Sequence, residues 1–483
     1  MNKSFRILCM LLCLFMAVSC FAGCGGKQTI VESEIWQDED PDNSDENNSD
    51  EGDTPGVTES DNPSGSGASS QTQQSGKIDL KGATVTIAGW RQGAGPQTSS
   101  ATYKKELALV STIEKKYNCK IKWKAVDDPL VYYQTFTTAA MAGTKFADIA
   151  KFPGDQSFPN AIAGGYIWEL DSFMSDFDDV TMWADVVDSA LKINGKHFFL
   201  APAGTLHNYT GLFFNQKVLD NCSVTKNPHD YMKEGNWNWN TFLELAKACT
   251  KKVGSVQYYG YTSAAPTAFL RSNGCEVWST NADGSQSFNY DDPACVETIQ
   301  FMHDLYNVHR VIPSTDRHKG VTLFEAGQVA MFATTYYSYQ QTDFKFAETP
   351  IGPRVNDYID NCADCHLWAI PKAVKAASVP TMLAILKDYI NPTYKWRQTL
   401  EEQAETWYND DESISIIIAH IKRYDVATNK YWNTYYPWCF KNVYTTDFGL
   451  AAGQAPGAFI QSVKAKAAAE IDTTWQKVKE RTK

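Results

Sequence analysis

Apolar positions follow the two spacings that are typical of strands and helices over most of the chain after residue 77. In chain order, the pattern predicts a strand at 83–88, a helix at 103–117, a strand at 120–125, a helix at 131–142 and a strand at 148–152. Strands that alternate with helices are typical of a doubly wound, mostly parallel α/β sheet. Residues 78–483 are too many for one hydrophobic core, so we expect two lobes.

The later part of the chain has one hairpin signal and then long helical patterns. Asn194 and Gly195 predict a tight turn that leads into a return strand at 197–200. Helices are predicted at 377–389, 394–406, 413–424 and 458–479. No internal repeat is evident.

The loops after the first and third predicted strands carry candidate binding residues. In open α/β sheets, ligands bind beyond the carboxyl ends of the strands. Trp90 and Arg91 follow the first strand, and a guanidinium there could hold hydroxyl groups or an acidic sugar. A surface ion pair is the alternative for Arg91.

The start of the chain is typical of an export signal. Lys3 and Arg6 precede an uncharged run at 7–22, which is too short to span a bilayer comfortably, so a cleaved signal is favoured. The run ends in FAGC at 21–24, which resembles the lipobox of bacterial lipoproteins. That resemblance implies removal of residues 1–23 and lipid on Cys24. Ordinary cleavage after Ala22 is the alternative.

Residues 24–77 are expected to form a disordered linker. The stretch 28–76 has thirteen acidic residues, no Lys or Arg, and a Ser/Gly/Gln-rich end, so it cannot bury enough apolar surface to fold. It also accounts for most of the net charge of −12. From Lys77 onward there are 43 acidic and 41 basic residues, and this near-neutral body without a basic stripe argues against a nucleic-acid partner.

Five short segments together resemble a known family. In order, they are INGKHFFLAP at 193–202, GLFFNQKVL at 211–219, WNWNTF at 237–242, FEAGQVAM at 324–331 and LWAIPK at 367–372. They are similar to motifs of family 1 extracellular solute-binding proteins, the maltose-binding-protein-like receptors of ABC importers. The usual proline before WNWNTF is missing.

The resemblance implies a two-lobed, type II periplasmic-binding-protein fold with a cleft between the lobes. By analogy, lobe 1 takes residues 78–204 plus 348–400, and lobe 2 takes residues 205–347 plus 401–483. The chain then crosses near 201–206, returns near 347–352 and crosses again near 400. The lobes are expected to close on a carbohydrate by hinge motion and to present it to a permease. We expect a monomer outside the cell that meets the membrane through its lipid only, without catalytic activity or cofactor.

The resemblance also implies roles for particular side chains. Tyr336 and Tyr337 follow a strand where relatives have a stacking tryptophan, with Tyr337 at the aligned position. Phe152 stands at a stacking aromatic, and Asp155 at an aspartate that binds hydroxyl groups in maltose-binding relatives. Core packing is the alternative for the tyrosines, and a helix cap is the alternative for Asp155.

Four more candidates come from the same comparison. Asn208 and Tyr209 lie where a ligand-binding acid can occur near the hinge, but the acid itself is absent. Trp278 follows the loop at 272–275, which faces the cleft in relatives, and Trp368 precedes a strand at the cleft edge.

The cysteine pattern leaves alternatives open. Eight cysteines follow residue 24, an even number that permits disulfides without defining their connectivity. Cys362 and Cys365 precede His366 in the C-x-x-C-H pattern of covalent haem attachment, but one copy without a distal ligand makes a short-range disulfide or free thiols the better interpretations. The eight His residues lack the paired spacing of a zinc site.

Two other functional classes compete with a receptor. A surface-anchored glycoside hydrolase or lyase would carry paired carboxylates across a cleft, which sequence spacing cannot reveal. A sensor or adhesion module with the same fold is the third hypothesis.

Overall fold

The structure is a computed structural model. It describes residues 78–90, 95–98, 100, 102–126, 128–153, 157–174, 192–200, 210–263, 267–280, 286–313, 317–336, 338–340, 342–359, 366–396, 400–426 and 453–483. The strands are β1 Ala83–Trp90, β2 Cys119–Val126, β3 Ile149–Pro153, β4 Thr210–Phe214, β5 Lys252–Val253, β6 Val256–Gln257, β7 Tyr259–Ser263, β8 Trp278–Thr280, β9 Gln286–Phe288, β10 Val329–Thr335, β11 Lys345–Ala347 and β12 His366–Ala369.

The helices alternate with these strands. They are α1 Tyr103–Tyr117, α2 Pro129–Met141, α3 Asn160–Gly164, α4 Gln216–Asn221, α5 Pro228–Lys233, α6 Trp239–Cys249, α7 Thr267–Ser272, α8 Pro293–Asn307, α9 Arg317–Glu325, α10 Val379–Trp396, α11 Leu400–Trp407, α12 Asp411–Val426 and α13 Pro456–Thr482.

Lobe 1 is built on a four-stranded sheet in the order β12-β3-β1-β2. β1 is parallel to β2 and to β3, whereas β12 is antiparallel to β3. Apolar side chains on both faces of the two central strands are fully buried because helices cover both faces, as the continuous apolar pattern of β1 and β3 requires. The predicted doubly wound α/β class is confirmed.

Lobe 2 contains the second four-stranded sheet, in the order β11-β4-β10-β7. All five residues of β4 are buried. The ring of Phe213 packs against Phe346 and Tyr339, whereas Phe214 packs against His229. Because successive side chains of a strand point to opposite faces, this sheet is also covered on both sides.

The second crossing between the lobes lies later than the expected 347–352. After β11, the backbone stays in lobe 2: the amide of Ile351 donates to the Trp237 carbonyl at 3.1 Å, and the amide of Gly352 donates to the Ser272 carbonyl at 2.7 Å. The chain is back in lobe 1 by β12, whose first residue is His366. The crossing was therefore predicted several residues too early in the chain. The backbone amides after β11 are paired with distant loops, and no local sequence pattern identifies such pairs.

The third crossing lies between α10 and α11. Tyr389 of α10 packs against Trp123 of lobe 1, whereas Tyr408 after α11 packs against Phe346 of lobe 2. The predicted break between helices at 389 and 394 does not occur, since α10 continues through Pro392. The Thr393 hydroxyl donates to the carbonyls of Tyr389 and Ile390 at this point of the helix.

The assignment of residues 401–483 to lobe 2 also needs correction. α12 packs against β11, and the first half of α13 packs against β9 and α8 of lobe 2. The end of α13 packs instead against α3 of lobe 1, where the Asn194 side chain donates to the Thr482 hydroxyl. The last turns of this long helix therefore lie on the other lobe.

Within the described ranges, no helix combines the length and the apolar character that crossing a membrane requires.

Candidate functional site

Two of the predicted tryptophans meet at one lysine in lobe 1. Lys151 of β3 lies directly opposite Trp368 of β12 in the antiparallel ladder. The Lys151 Nζ atom is 5.6 Å from the ring centroid of Trp368 and 5.5 Å from that of Trp90. The ammonium group thus lies between two indole rings. We call Trp90, Lys151 and Trp368 the indole–lysine cluster.

The topology places this cluster where a ligand is expected. Trp90 is the last residue of β1, and Lys151 is two residues from the end of β3. Both therefore lie at the carboxyl ends of parallel strands. On the outer side of β12, Leu200 and Trp368 exchange backbone hydrogen bonds of 2.7 and 2.8 Å. Because β4 of lobe 2 begins at Thr210, Leu200 is also close in the chain to the passage between the lobes.

The chemistry of the cluster suits a polyhydroxylated solute. An indole offers a flat apolar face with partial negative charge, on which the C–H groups of a sugar ring can stack. A lysine ammonium provides three hydrogen-bond donors for hydroxyl oxygens. Its attraction to each ring contributes about 0.5–2 kcal/mol and holds the ammonium in position. Trp90 is half-buried and Trp368 is almost fully buried.

Phe152, the neighbour of Lys151, has a different environment from the one expected. Its ring has no exposed surface and lies 4.7 Å from the Phe136 ring, with Tyr132, Tyr133 and Phe199 also in contact. Because the strand alternates, Phe152 points into the core while Lys151 points to the indoles. In this arrangement Phe152 has no free face on which a solute could stack.

Tyr336, at the carboxyl end of β10 in lobe 2, is also enclosed. The centroid of the Tyr336 ring lies 5.1 Å from that of the Trp407 ring. The Tyr408 hydroxyl donates a hydrogen bond of 2.5 Å to the backbone carbonyl of Tyr336. Trp407 is partly exposed, so it presents an aromatic surface beside Tyr336. Of these two rings at the edge of the lobe 2 sheet, Trp407 is therefore the more exposed.

Sequence reasoning missed both Lys151 and Trp407. A lysine within a buried strand is unusual and was a usable signal for Lys151. Trp407 is the last residue of α11, the helix that follows the third crossing, and this position was the usable signal for it.

Several predicted residues lie outside the described part of the chain. They are Cys24, Arg91, Asp155, Asn208, Tyr209, Tyr337, Cys362 and Cys365. The side chain of Trp278, at the start of β8, also lies outside it. Their roles stay predictions.

The loop before β8, expected at the cleft, is a structural junction. Cys275 and Cys295 form a disulfide that joins this loop to α8. Asn273 is fully buried, and its amide nitrogen donates to the Ala294 carbonyl while its oxygen accepts from the Arg354 amide. A Cβ at Gly352 would lie 2.6 Å from the Asn273 side chain, so glycine is required for this close approach.

Three further cysteines of the described part, Cys119, Cys222 and Cys249, are buried free thiols. Burial raises the pKa of the Cys249 thiol and of the Cys222 thiol, which makes both poor nucleophiles. Among the residues that the structure describes, no group of three or more His, Cys, Asp or Glu could hold a metal ion.

The comparisons with known proteins identify the family. The sequence profile of the family described as bacterial extracellular solute-binding protein matches residues 94–360, which is more than half of the chain. The chain belongs to this family. No curated protein matched it.

Solved structures show the same two-lobed fold for this solute-binding protein. The maltose/maltodextrin-binding domain from Bdellovibrio bacteriovorus, bound to maltotriose, has a TM-score of 0.56 and 18% identity, and the match covers 80% of this chain and 100% of that one. A solute-binding protein from Thermotoga lettingae with α-D-tagatose has a TM-score of 0.54 and 16% identity, with coverage of 80% and 99%. An ABC substrate-binding protein from Listeria monocytogenes with cycloalternan has a TM-score of 0.54 and 16% identity, and the match covers 82% of this chain and 99% of that one. These likenesses confirm the type II periplasmic-binding-protein fold.

Proposed function

We propose that this protein is the carbohydrate-capturing receptor of an ABC importer, held outside the cell by lipid on Cys24. The observation that carries the carbohydrate assignment is the indole–lysine cluster, with Lys151 Nζ 5.5 and 5.6 Å from the two ring centroids at the carboxyl edge of the lobe 1 sheet. The half-buried Trp90 ring next to a hydrogen-bond donor matches the alternating apolar and hydroxyl surfaces of a sugar, while the buried Trp368 ring helps to hold the ammonium in position.

The family supports the receptor part of the proposal. Its members bind solutes outside the cell, and the structural relatives named above are bound to maltotriose, tagatose and cycloalternan. Two lobes joined by crossing segments provide a cleft that can close on a solute and so give a permease a shape to recognise. Trp407, beside Tyr336, supplies an aromatic surface from the opposite lobe.

Titration calorimetry against a panel of sugars tests the proposal. Maltotriose, mannotriose and tagatose are suitable members, and we expect one carbohydrate class to bind with a stoichiometry of one. Tight binding of peptides or other solutes, with no heat from any sugar, would remove the carbohydrate assignment. Recovery of the bound sugar unchanged after prolonged incubation is expected of a receptor, whereas cleavage would favour the enzyme hypothesis.

The lipid anchor is a separate part of the proposal. It rests on the FAGC segment that ends an uncharged apolar run, and on the acidic linker that follows it. Two acyl chains on one cysteine give stable membrane attachment, whereas a single chain binds only marginally. A linker of about fifty residues has a relaxed span of about 40 Å, enough to leave the lobes free beside a permease.

A further inference from the structure

Helix α13 is long enough to reach from one lobe to the other. It contains 27 residues, and at 1.5 Å per residue such a helix extends over about 40 Å. Its buried residues fall into two groups that belong to different apolar clusters. Only the crossing segments of the backbone were expected to join the lobes.

The first half of α13 packs on lobe 2. Five of its side chains are buried in the lobe 2 cluster: Phe459, Ile460, Val463, Ala467 and Ile471. The ring of Phe459 lies 6.2 Å from that of Tyr290, and Lys464 forms an ion pair with Asp291. This half is thus attached by a broad apolar face and by one charged contact.

The last turns of α13 pack on lobe 1. Val478 is fully buried, and this part of the helix packs against α3 of lobe 1. The Asn194 amide donates a hydrogen bond of 2.7 Å to the Thr482 hydroxyl, and the Lys196 ammonium donates one of 3.0 Å to the Lys483 carbonyl. The Arg481 guanidinium lies against Gly165, at the end of α3.

Trp475 lies between these two attachments. It borders both apolar clusters, the one that contains Phe459 and the one that contains Val478. A continuous helix is stiff over this length, so it cannot follow both lobes if the angle between them changes. One of its two attachments must then slide or separate. The lobe 1 attachment is the weaker, since it buries one large apolar side chain where the lobe 2 attachment buries four.

We propose that α13 is an interlobe strap, whose last turns hold lobe 1 at a set angle to lobe 2 and must leave lobe 1 for the hinge to move. The strap would act on the equilibrium between different angles of the two lobes, without contacting the solute. Any change that weakens the strap destabilises the arrangement that it holds and so raises the population of the other arrangements. Its role in solute capture rests on the proposed receptor function, but its effect on the lobes does not.

Val478→Asp tests the strap, since a carboxylate cannot stay in an apolar core without great cost. Gln476→Asp is the matched control, because position 476 is exposed on the same turn of α13. Nitroxide labels on a keto amino acid at the exposed positions Lys115 and Ala248 report the distance between the lobes without using the native thiols. The full chain is measured with no sugar present.

We expect one narrow distance distribution for the parent chain and for Gln476→Asp, and a wider one for Val478→Asp. Cross-linking mass spectrometry shows which attachment is lost. A short amine-reactive linker should join Lys196 to Lys483 in the parent but not in Val478→Asp, whereas a carbodiimide should join Lys464 to Asp291 in both. If Val478→Asp fails to fold, the milder Val478→Ala/Thr482→Val chain replaces it.

An unchanged distance distribution in a chain that has lost the link from Lys196 to Lys483 would overturn the proposal, because the lobes would then hold their angle without the strap. Persistence of that link in both variants would overturn it as well. Sugar titrations of the same chains test the receptor proposal separately from the strap proposal. A parent that binds no sugar would remove the receptor assignment while leaving the interlobe measurement intact.

Discussion

The Nδ1 atom of His420 lies 2.9 Å from Oε2 of Glu348, and the two side chains are only 1% and 3% exposed. This pair joins α12 to the segment after β11, within lobe 2. The backbone of the same segment accepts a hydrogen bond from the Trp237 indole, through the Glu348 carbonyl at 2.7 Å. A buried carboxylate thus joins two segments of lobe 2 that are separated in the sequence by the part of the chain that returns to lobe 1.

Replacement of His420 by Leu should destabilise the protein by about 3 kcal/mol, because it removes this partner from a buried carboxylate. Denaturant unfolding followed by circular dichroism measures the change. Lys217→Ala is the control, since Lys217 and Asp343 form an ion pair on the surface with side chains 76% and 79% exposed. A loss no larger than that of the control would mean that Glu348 is adequately satisfied by its other contacts.

The pH dependence of stability should show the burial of His229. Burial lowers the pKa of this imidazole, although its hydrogen bond to the Phe346 carbonyl and the nearby Glu412 act in the opposite direction. The unfolded chain therefore takes up a proton at a higher pH than the folded protein does. Stability should fall as the pH drops below about 6.5, the ordinary pKa of histidine, and level off below the folded pKa.

Denaturant midpoints between pH 7.5 and 5 measure that effect. In the His229→Gln chain the loss of stability over this range should be smaller, since one titrating group has been removed. An identical slope for both chains would show that other groups cause the pH dependence.

Lys151→Met should weaken sugar binding by about ten- to a hundredfold, because it keeps the apolar stem and removes the ammonium that lies between two indoles. Lys372→Met is a closely matched control. The Lys372 ammonium lies 3.2 Å from the ring centroid of Trp168, but it follows β12 and so lies at the opposite end of the sheet. Calorimetry with the sugar identified in the panel compares the two. Equal affinities for both variants would remove Lys151 from the site.

The disulfide between Cys275 and Cys295 should stabilise lobe 2 by about 3 kcal/mol, because it closes a loop with a sequence separation of 20 residues. Cys275→Ser/Cys295→Ser should unfold at a correspondingly lower denaturant concentration. Reductant should lower the midpoint of the parent chain towards that of the double variant, and should leave the midpoint of the double variant unchanged. A parent chain insensitive to reductant under unfolding conditions would contradict this contribution.

Cys24→Ser should be released from the cell or fail to reach the membrane surface, yet bind its sugar with unchanged affinity. Fractionation and calorimetry on the same preparations measure the two properties. Loss of sugar binding together with attachment would show that the anchor and the receptor are not independent.

Local patterns were sufficient to predict many of the elements. Residues 103–117 were predicted as a helix with the bounds that α1 has, and the predicted strands lie within β1 and β2 or overlap β3. Helical and strand periodicities report which face of a short segment is buried, so they identify elements without knowledge of their partners. The order of five short motifs further predicted the two-lobed fold.

The candidate site depended on side chains that come from distant parts of the sequence. Trp90 and Trp368 were named separately, but nothing in the sequence indicates that Lys151 lies between them. That contact follows from the pairing of β12 with β3, which joins residues more than two hundred positions apart. The enclosure of the Phe152 ring by Phe136 and Phe199 could not be foreseen for the same reason, because it also depends on packing between separate segments.

The sequence by itself determined many of the elements, the fold class and the family of this protein, since each depends on local periodicity or on short motifs in order. Only the tertiary structure decided where the chain returns to lobe 1, which cysteines of lobe 2 pair, and that α13 packs on both lobes. These features depend on packing between segments far apart in the chain. Such contacts require two surfaces that are complementary in shape and polarity. The pattern of residues within one segment does not identify the segment that it packs against.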